Sequence, residues 1–396
     1  MDYTFSDRVQ ALKPSAIREI FKYAADPEVV SLSAGNPSPE AFPAKEIAAI
    51  SADILKKQPI SALQYSVTEG YPKLRERLKT YMKSKYNIGT DNDSILITSG
   101  AQQIMDLASK TLINEHDTVI CESPSFIGSL NTFRSYNCRL KGVTVESDGM
   151  NIEELEQALK TEKNARFIYT IPNFQNPSGV TMSLEKRKAV YELAKKYNVM
   201  IIEDNPYGDL RYVGEDIPAI KTFDEDGIVI YAGSFSKTIA PGLRVAFAVA
   251  PNPVFQKMVV CKQGQDVHTN IWSQMIVDEF MDRYDYEAHL DRLRRIYSKK
   301  ANYMSWLLDQ NLPPQMSYNK IEGGLFTVCT LPESVDMQAF CKELINRKVC
   351  VVPGSAFLPD ETQPCSNFRI NFTTPTDEQL KKGIKIIGEL AREILK

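Results

Sequence analysis

The chain has 396 residues, 43% hydrophobic and 24% charged, a globular composition that excludes a disordered or collagen-like protein. At roughly 150 residues per domain, that length points to more than one domain with a large core. Basic and acidic residues nearly cancel, 47 against 50 for a net charge of −3, which argues against bulk electrostatic attraction to nucleic acid.

The N-terminus, MDYTFSDRVQ, lacks the apolar centre of a secretory signal, and no later apolar run reaches the roughly 18 residues of a membrane helix. From about residue 90 to 250, apolar runs at 94–98, 118–121, 166–171, 199–202, 228–231 and 245–249 predict strands. Between them, stretches such as 101–112, 151–159 and 184–197 repeat apolar residues at three and four and predict helices. Near-continuous apolar strands alternating with amphipathic helices imply a mostly parallel sheet covered on both faces. Helical patterns at 271–280 and 288–308 then lead into Pro313-Pro314. Strand candidates at 325–329, 349–352 and 368–372 and a closing helix at 377–395 follow, as in a smaller α+β domain. The expected architecture is an α/β/α three-layer large domain at 46–285, a small domain at 286–396, and an N-terminal segment, 1–45, lying against the small domain or a partner.

Seven scattered cysteines form no CxxC pair, and the three histidines (His116, His268, His289) have no metal-binding spacing. Free thiols, no metal and a cytoplasmic location are therefore expected.

In a parallel α/β sheet, ligands bind beyond the carboxyl ends of the strands, so the residues after each run sample the site. Ser99-Gly100-Ala101-Gln102 opens a helix, and free amides at a helix start suit an anion; a plain strand-helix turn is the other reading. Phe126 follows the next strand as a flat plate or as a core residue. Asn176 precedes a proline, which holds it extended, or is a solvated turn residue. Asp204 closes an apolar strand, either as a buried carboxylate needing a partner or as a helix N-cap. Tyr207 reads as a site residue or as packing. Ser234, Ser236, Lys237 and Arg244 follow the strand at 228–231, and turn formers, a surface lysine and a rim arginine are their ordinary alternatives. Ser234-Phe-Ser-Lys237 also fits the S-x-x-K pattern of serine β-lactamases, but the S-D-N and K-T-G elements are missing from the chain. Anion cradle, aromatic plate, acid, lysine and arginine at one sheet edge match what pyridoxal 5′-phosphate (PLP) requires.

With its motifs SFSKTIAPGLR, PNFQNPSG and EDNPYG, the sequence resembles, over nearly its whole length, the fold-type I PLP-dependent aminotransferases of the class I/II, aspartate aminotransferase-like family. The resemblance implies that Lys237 forms the Schiff base and Asp204 faces the pyridinium nitrogen. It also implies that Asn176 and Tyr207 hold the phenolic oxygen, and that the Ala101 and Gln102 amides, Ser234, Ser236 and Arg244 hold the phosphate. Phe126 stands where the family usually has a ring-stacking Tyr. Tyr65 matches a tyrosine that reaches the neighbouring subunit's phosphate, implying a homodimer with shared sites. Arg369, beside Asn176, matches the clamp on the substrate carboxylate, and Gly35 a backbone contact near it. Pro14-Ser-Ala-Ile-Arg18 and Ser31-Leu-Ser-Ala-Gly-Asn-Pro37 resemble the branch of 2-aminoadipate, kynurenine and aromatic aminotransferases, in which Arg18 would swing towards a distal carboxylate. A solvated helix residue is the other reading of Arg18.

The resemblance therefore implies amino transfer from an L-amino acid to a 2-oxo acid, with 2-oxoglutarate expected, by ping-pong kinetics. The competing readings are a PLP β-lyase on the same scaffold and a regulatory effector domain. The second would need a basic winged helix ahead of a chain whose catalytic-type sequence starts near residue 1.

Overall fold

In the structure, a computed structural model, residues 3–10 and 26–395 are described. Its strands are β1 (Val30–Ser31), β2 (Asp93–Thr98), β3 (Thr118–Ser123), β4 (Arg139–Glu146), β5 (Gly149–Met150), β6 (Ala165–Thr170) and β7 (Met200–Asn205). They continue with β8 (Val229–Ser234), β9 (Ala246–Pro251), β10 (Ser317–Tyr318), β11 (Phe326–Thr330), β12 (Val349–Cys350), β13 (Val352–Pro353) and β14 (Asn367–Asn371). The large sheet runs β2-β9-β8-β7-β6-β3-β4-β5. Strands β4, β3, β6, β7 and β8 pair in parallel, whereas β9 is antiparallel to both neighbours and β5 to β4.

The apolar runs are continuous because each strand is buried on both faces. Val119, Phe167, Tyr169, Ile202 and Ile230 enter one core with the helix Ala101–Leu112. The intervening Ile120, Ile168, Ile201 and Val229 enter another, with the helices Ile152–Thr161 and Leu184–Tyr197. Strand β4 escaped the sequence reading because it lies near the sheet edge with mostly exposed or half-buried side chains, among them Arg139 and Lys141.

A second sheet, β10-β11-β14-β13, is antiparallel. The single strand expected at 349–352 is divided: β12 pairs in parallel with β1, while β13 pairs with β14. A two-residue pairing from an N-terminal partner far away in sequence leaves no local pattern to read. The 26-residue helix Tyr286–Asn311 joins the two regions. Its Leu290, Leu293 and Tyr297 belong to the large core, and its Met304, Leu307 and Leu308 to the core beneath the second sheet. The closing helix Asp377–Ile394 starts in a capping box, with Thr376 Oγ1 accepting from the Gln379 amide and Gln379 Oε1 from the Thr376 amide.

At the amino ends of the strands, away from the ligand edge, Lys221 is buried with its ammonium 2.6 Å from Asp93, 2.8 Å from Asp224 and 2.9 Å from the Val229 carbonyl. Removing one partner of a buried ion cluster strands the others without water. Lys221→Met is therefore expected to lower stability by about 3–5 kcal/mol, read from chemical denaturation. A loss below about 1 kcal/mol would mean the cluster is solvated like a surface pair.

Candidate active site

The segments after β2, β3, β6, β7 and β8 converge on one cavity of about 380 Å³. Its walls include Gly35, Ala101, Gln102, Phe126, Asn176, Asp204, Tyr207, Ser234, Ser236, Lys237, Arg244 and Arg369. Tyr65 is not among them: it is 81% exposed, its ring edge-on to His268 at 5.9 Å. Arg18 lies outside the described residues.

Asp204 ends a buried strand, and no helix follows it, so the N-cap reading falls. Its Oδ2 accepts a 2.8 Å hydrogen bond from the Tyr169 hydroxyl, itself bonded to Ser129. Its Oδ1 is buried and has no partner among the described residues. Burial raises its pKa to about 6, against the stabilising Tyr169 bond.

Lys237 donates to the Gly35 carbonyl at 2.8 Å. Removal from water, with repulsion from Arg369 and Arg244, pushes its pKa down to about 8. Ser234 Oγ accepts from the Ser236 amide, so Ser234 shapes the turn as well as lining the cavity.

The helix Ala101–Leu112 starts after Gly100 with no side-chain cap, leaving its first amides free for an anion. Gly100 has φ +84, and a Cβ there would lie 2.0 Å from an Arg244 guanidinium nitrogen, so glycine is what lets Arg244 reach this turn. Arg244 donates to the Ser99 carbonyl at 3.3 Å.

Arg369 is buried, with Nη1 2.7 Å from Asn176 Oδ1, Nη2 2.8 Å from the Ser33 carbonyl, and Nε without a partner among the described residues. Its guanidinium lies 4.0 Å from the Phe326 ring centroid and 5.0 Å from that of Phe357. Burial brings its pKa down to about 10, so it stays charged at neutral pH.

Sequence reasoning missed several residues here. Gly128 makes room for Phe126, since a Cβ would lie 2.7 Å from that ring. Phe326 and Phe357 reach the site only through the second sheet and its neighbouring turn. Glu122 is buried and accepts from Thr170, the Ile171 amide and Gln175; burial raises its pKa to about 7. An acid closing the apolar run Thr118–Ser123 was its only signal in the sequence.

The donor set fits PLP: an amine, an acid with one open oxygen, an anion cradle backed by arginine, and an aromatic plate. The sequence matches the aminotransferase class I and II family over residues 27–387. It is 37% identical, across its whole length and 96% of the relative, to aromatic-amino-acid aminotransferase 1 of Thermococcus litoralis. It is also 35% identical to the 2-aminoadipate transaminase of Thermus thermophilus, over 98% of this chain and 96% of that one. The crystal structure of Pyrococcus horikoshii kynurenine aminotransferase superposes with a TM-score of 0.95 at 35% identity, covering 99% of this chain and 98% of the other. The chain belongs to the class I and II aminotransferases. It is a PLP-dependent transaminase of fold type I.

A neutral amine is the reactive form, and its fraction grows as pH rises through the pKa. In the cofactor-free chain, acylation of Lys237 by an amine-selective reagent, followed by peptide mass spectrometry, should be half-maximal near pH 8 and level off more than about one unit above it. A midpoint at about pH 10, as for an ordinary lysine, would contradict the depressed value.

Proposed function

We propose that this aminotransferase takes the α-amino group from aromatic and 2-aminoadipate-like L-amino acids and delivers it to a 2-oxo acid, 2-oxoglutarate foremost, in two half-reactions sharing one site. The observation carrying the site assignment is Asp204, a buried carboxylate with one oxygen satisfied by Tyr169 and the other open, on a cavity that also contains a low-pKa lysine. The names of the relatives support the donor class, as does the apolar wall of Ile127 and Phe326 near Arg369.

In this reading Lys237 binds the cofactor covalently, Asp204 keeps its ring nitrogen protonated, and Asn176 and Tyr207 hold its phenolic oxygen. The Ala101 and Gln102 amides, Ser234, Ser236 and Arg244 hold its phosphate, and Phe126 covers the ring without the hydroxyl that a Tyr would bring. When bound, the cofactor supplies an electron sink for the α-carbon and carries the amino group between substrates. Arg369 fixes the substrate carboxylate as a fork, using its open Nε, with Asn176 and Gly35 alongside. Released from the cofactor when the substrate amine takes its place, Lys237 Nζ would take the proton from the substrate α-carbon and carry it, on the same side, to the cofactor carbon that Lys237 had held, a 1,3-shift. Arg18 would serve a distal carboxylate.

A homodimer with Tyr65 reaching the second site is also proposed. Ile60 and Leu63, each 74% exposed, form with Tyr65 an apolar stretch that a partner would cover. Cytoplasmic location and the division 1–45, 46–285 and 286–396 belong to the same reading. Its supports are the free cysteines and the separate core beneath the second sheet.

PLP-loaded enzyme mixed with single amino acids, without acceptor, should yield 2-oxo acid from acidic and aromatic donors alike; a branched-chain-only response would overturn the donor class. Lys237→Ala is expected to abolish turnover and borohydride labelling while circular dichroism stays unchanged; near wild-type rates would refute its role. Asp204→Ala should weaken cofactor binding and slow α-proton removal by roughly a thousandfold in single-turnover measurements, and a rate within tenfold of wild type would count against it.

A further inference from the structure

Lys262, on the helix Asn252–Gln263, is fully buried and is not a wall of the cavity. Its ammonium uses all three of its donor directions. It lies 2.6 and 2.7 Å from the two Asp266 oxygens, 3.1 Å from Gln103 Oε1 and 3.0 Å from Thr269 Oγ1. An ammonium is kept out of water only where such partners are held in place.

Gln103 and Asp266 lead back to the turn after β2, and Thr269 Oγ1 lies 3.3 Å from Ser99 Oγ in the same turn. Gln103 Oε1, turned towards the ammonium, also accepts from the Ser99 amide at 2.8 Å, while its Nε2 donates to Asp266. Ser99 Oγ donates to Asp266 at 3.0 Å. On the other side, the Thr269 carbonyl accepts from Gln274, whose Oε1 receives the Tyr71 amide at 2.7 Å. Val267, between Asp266 and His268, has φ +63, a conformation that a β-branched residue adopts only when its surroundings impose it. One buried cation therefore pins Ser99 by its amide and its hydroxyl, one residue before the glycine and two before the free helix amides.

We infer that Lys262 is a positioning residue for the cofactor phosphate, locking the Ser99–Gln102 turn so that the Ala101 and Gln102 amides point at the anion. This inference rests on the reading that those amides and Arg244 hold the phosphate. Lys262 touches neither cofactor nor substrate; it acts through Gln103, Asp266 and Ser99. The turn contains a positive-φ glycine without a side-chain cap; Thr98 holds Gly100 through the Gly100 amide and carbonyl, and Ser99 is held from behind by Gln103 and Asp266.

The test compares ligands with and without the phosphate. In full-length Lys262→Met enzyme, affinity for PLP and for inorganic phosphate should fall about ten- to a hundredfold, while pyridoxal, which lacks the phosphate, binds as to wild type. Equal weakening of pyridoxal would reveal a general structural defect and overturn the inference, as would unchanged phosphate affinity. Should Lys262→Met not fold, Ser99→Ala removes the hydroxyl link at nearly constant volume and is expected to show the same selectivity, with a loss of about three- to tenfold. Arg244→Ala separates the two levels. If it leaves phosphate affinity intact, the phosphate reading itself fails; if it weakens phosphate while Lys262→Met and Ser99→Ala do not, only the role of Lys262 falls.

Discussion

The site depends on a carboxylate being kept where water would otherwise stabilise it. Asp204 sits at the end of a strand flanked by two parallel neighbours, buried on both faces, and among the described residues receives one hydrogen bond, from Tyr169. A carboxyl group so placed is poorly solvated in its charged form, and its unpartnered oxygen makes it an acceptor waiting for a donor. A ring N–H is such a donor. The carboxyl ends of the parallel strands supply most of the remaining groups at one edge, and the second sheet adds Arg369 from β14.

Charge in this cavity is arranged by opposing effects of burial. Removal from water lifts Asp204 and depresses Lys237 and Arg369. The consequences differ with the starting point. Arg369 begins so basic that it remains a cation and can bind a carboxylate. Lys237 moves close enough to neutrality for part of it to be the free amine near neutral pH. The aromatic rings of Phe326 and Phe357 flank the guanidinium and limit its freedom without competing for its hydrogen bonds.

Around the cavity, rigidity comes from residues that never reach it. Gly100 and Gly128 are absences of side chain that let Arg244 and Phe126 approach. Ser129 and Tyr169 orient Asp204, and Gln103 and Lys262 brace the turn before the helix Ala101–Leu112. Small residues and buried polar networks of this kind set geometry to a few tenths of an ångström, which is the scale on which proton transfer is decided.

The sequence alone determined the central sheet, the alternating helices and the short motifs at the strand ends. Strand and helix periods and turn residues are local properties, and one edge of a parallel sheet collects its loops whatever their detail. That Lys237, Asp204, Asn176 and Arg244 would meet at that edge was legible for this reason, and all four line the cavity; the roles expected of them came from the family resemblance. Tertiary structure decided what local pattern cannot encode: the division of 349–352 between β1 and β14, the exposed strand β4, and the approach of Phe326, Phe357 and Lys262 to groups distant in the chain. Those contacts depend on how two sheets and a bridging helix pack, and packing is a property of surfaces assembled from remote segments.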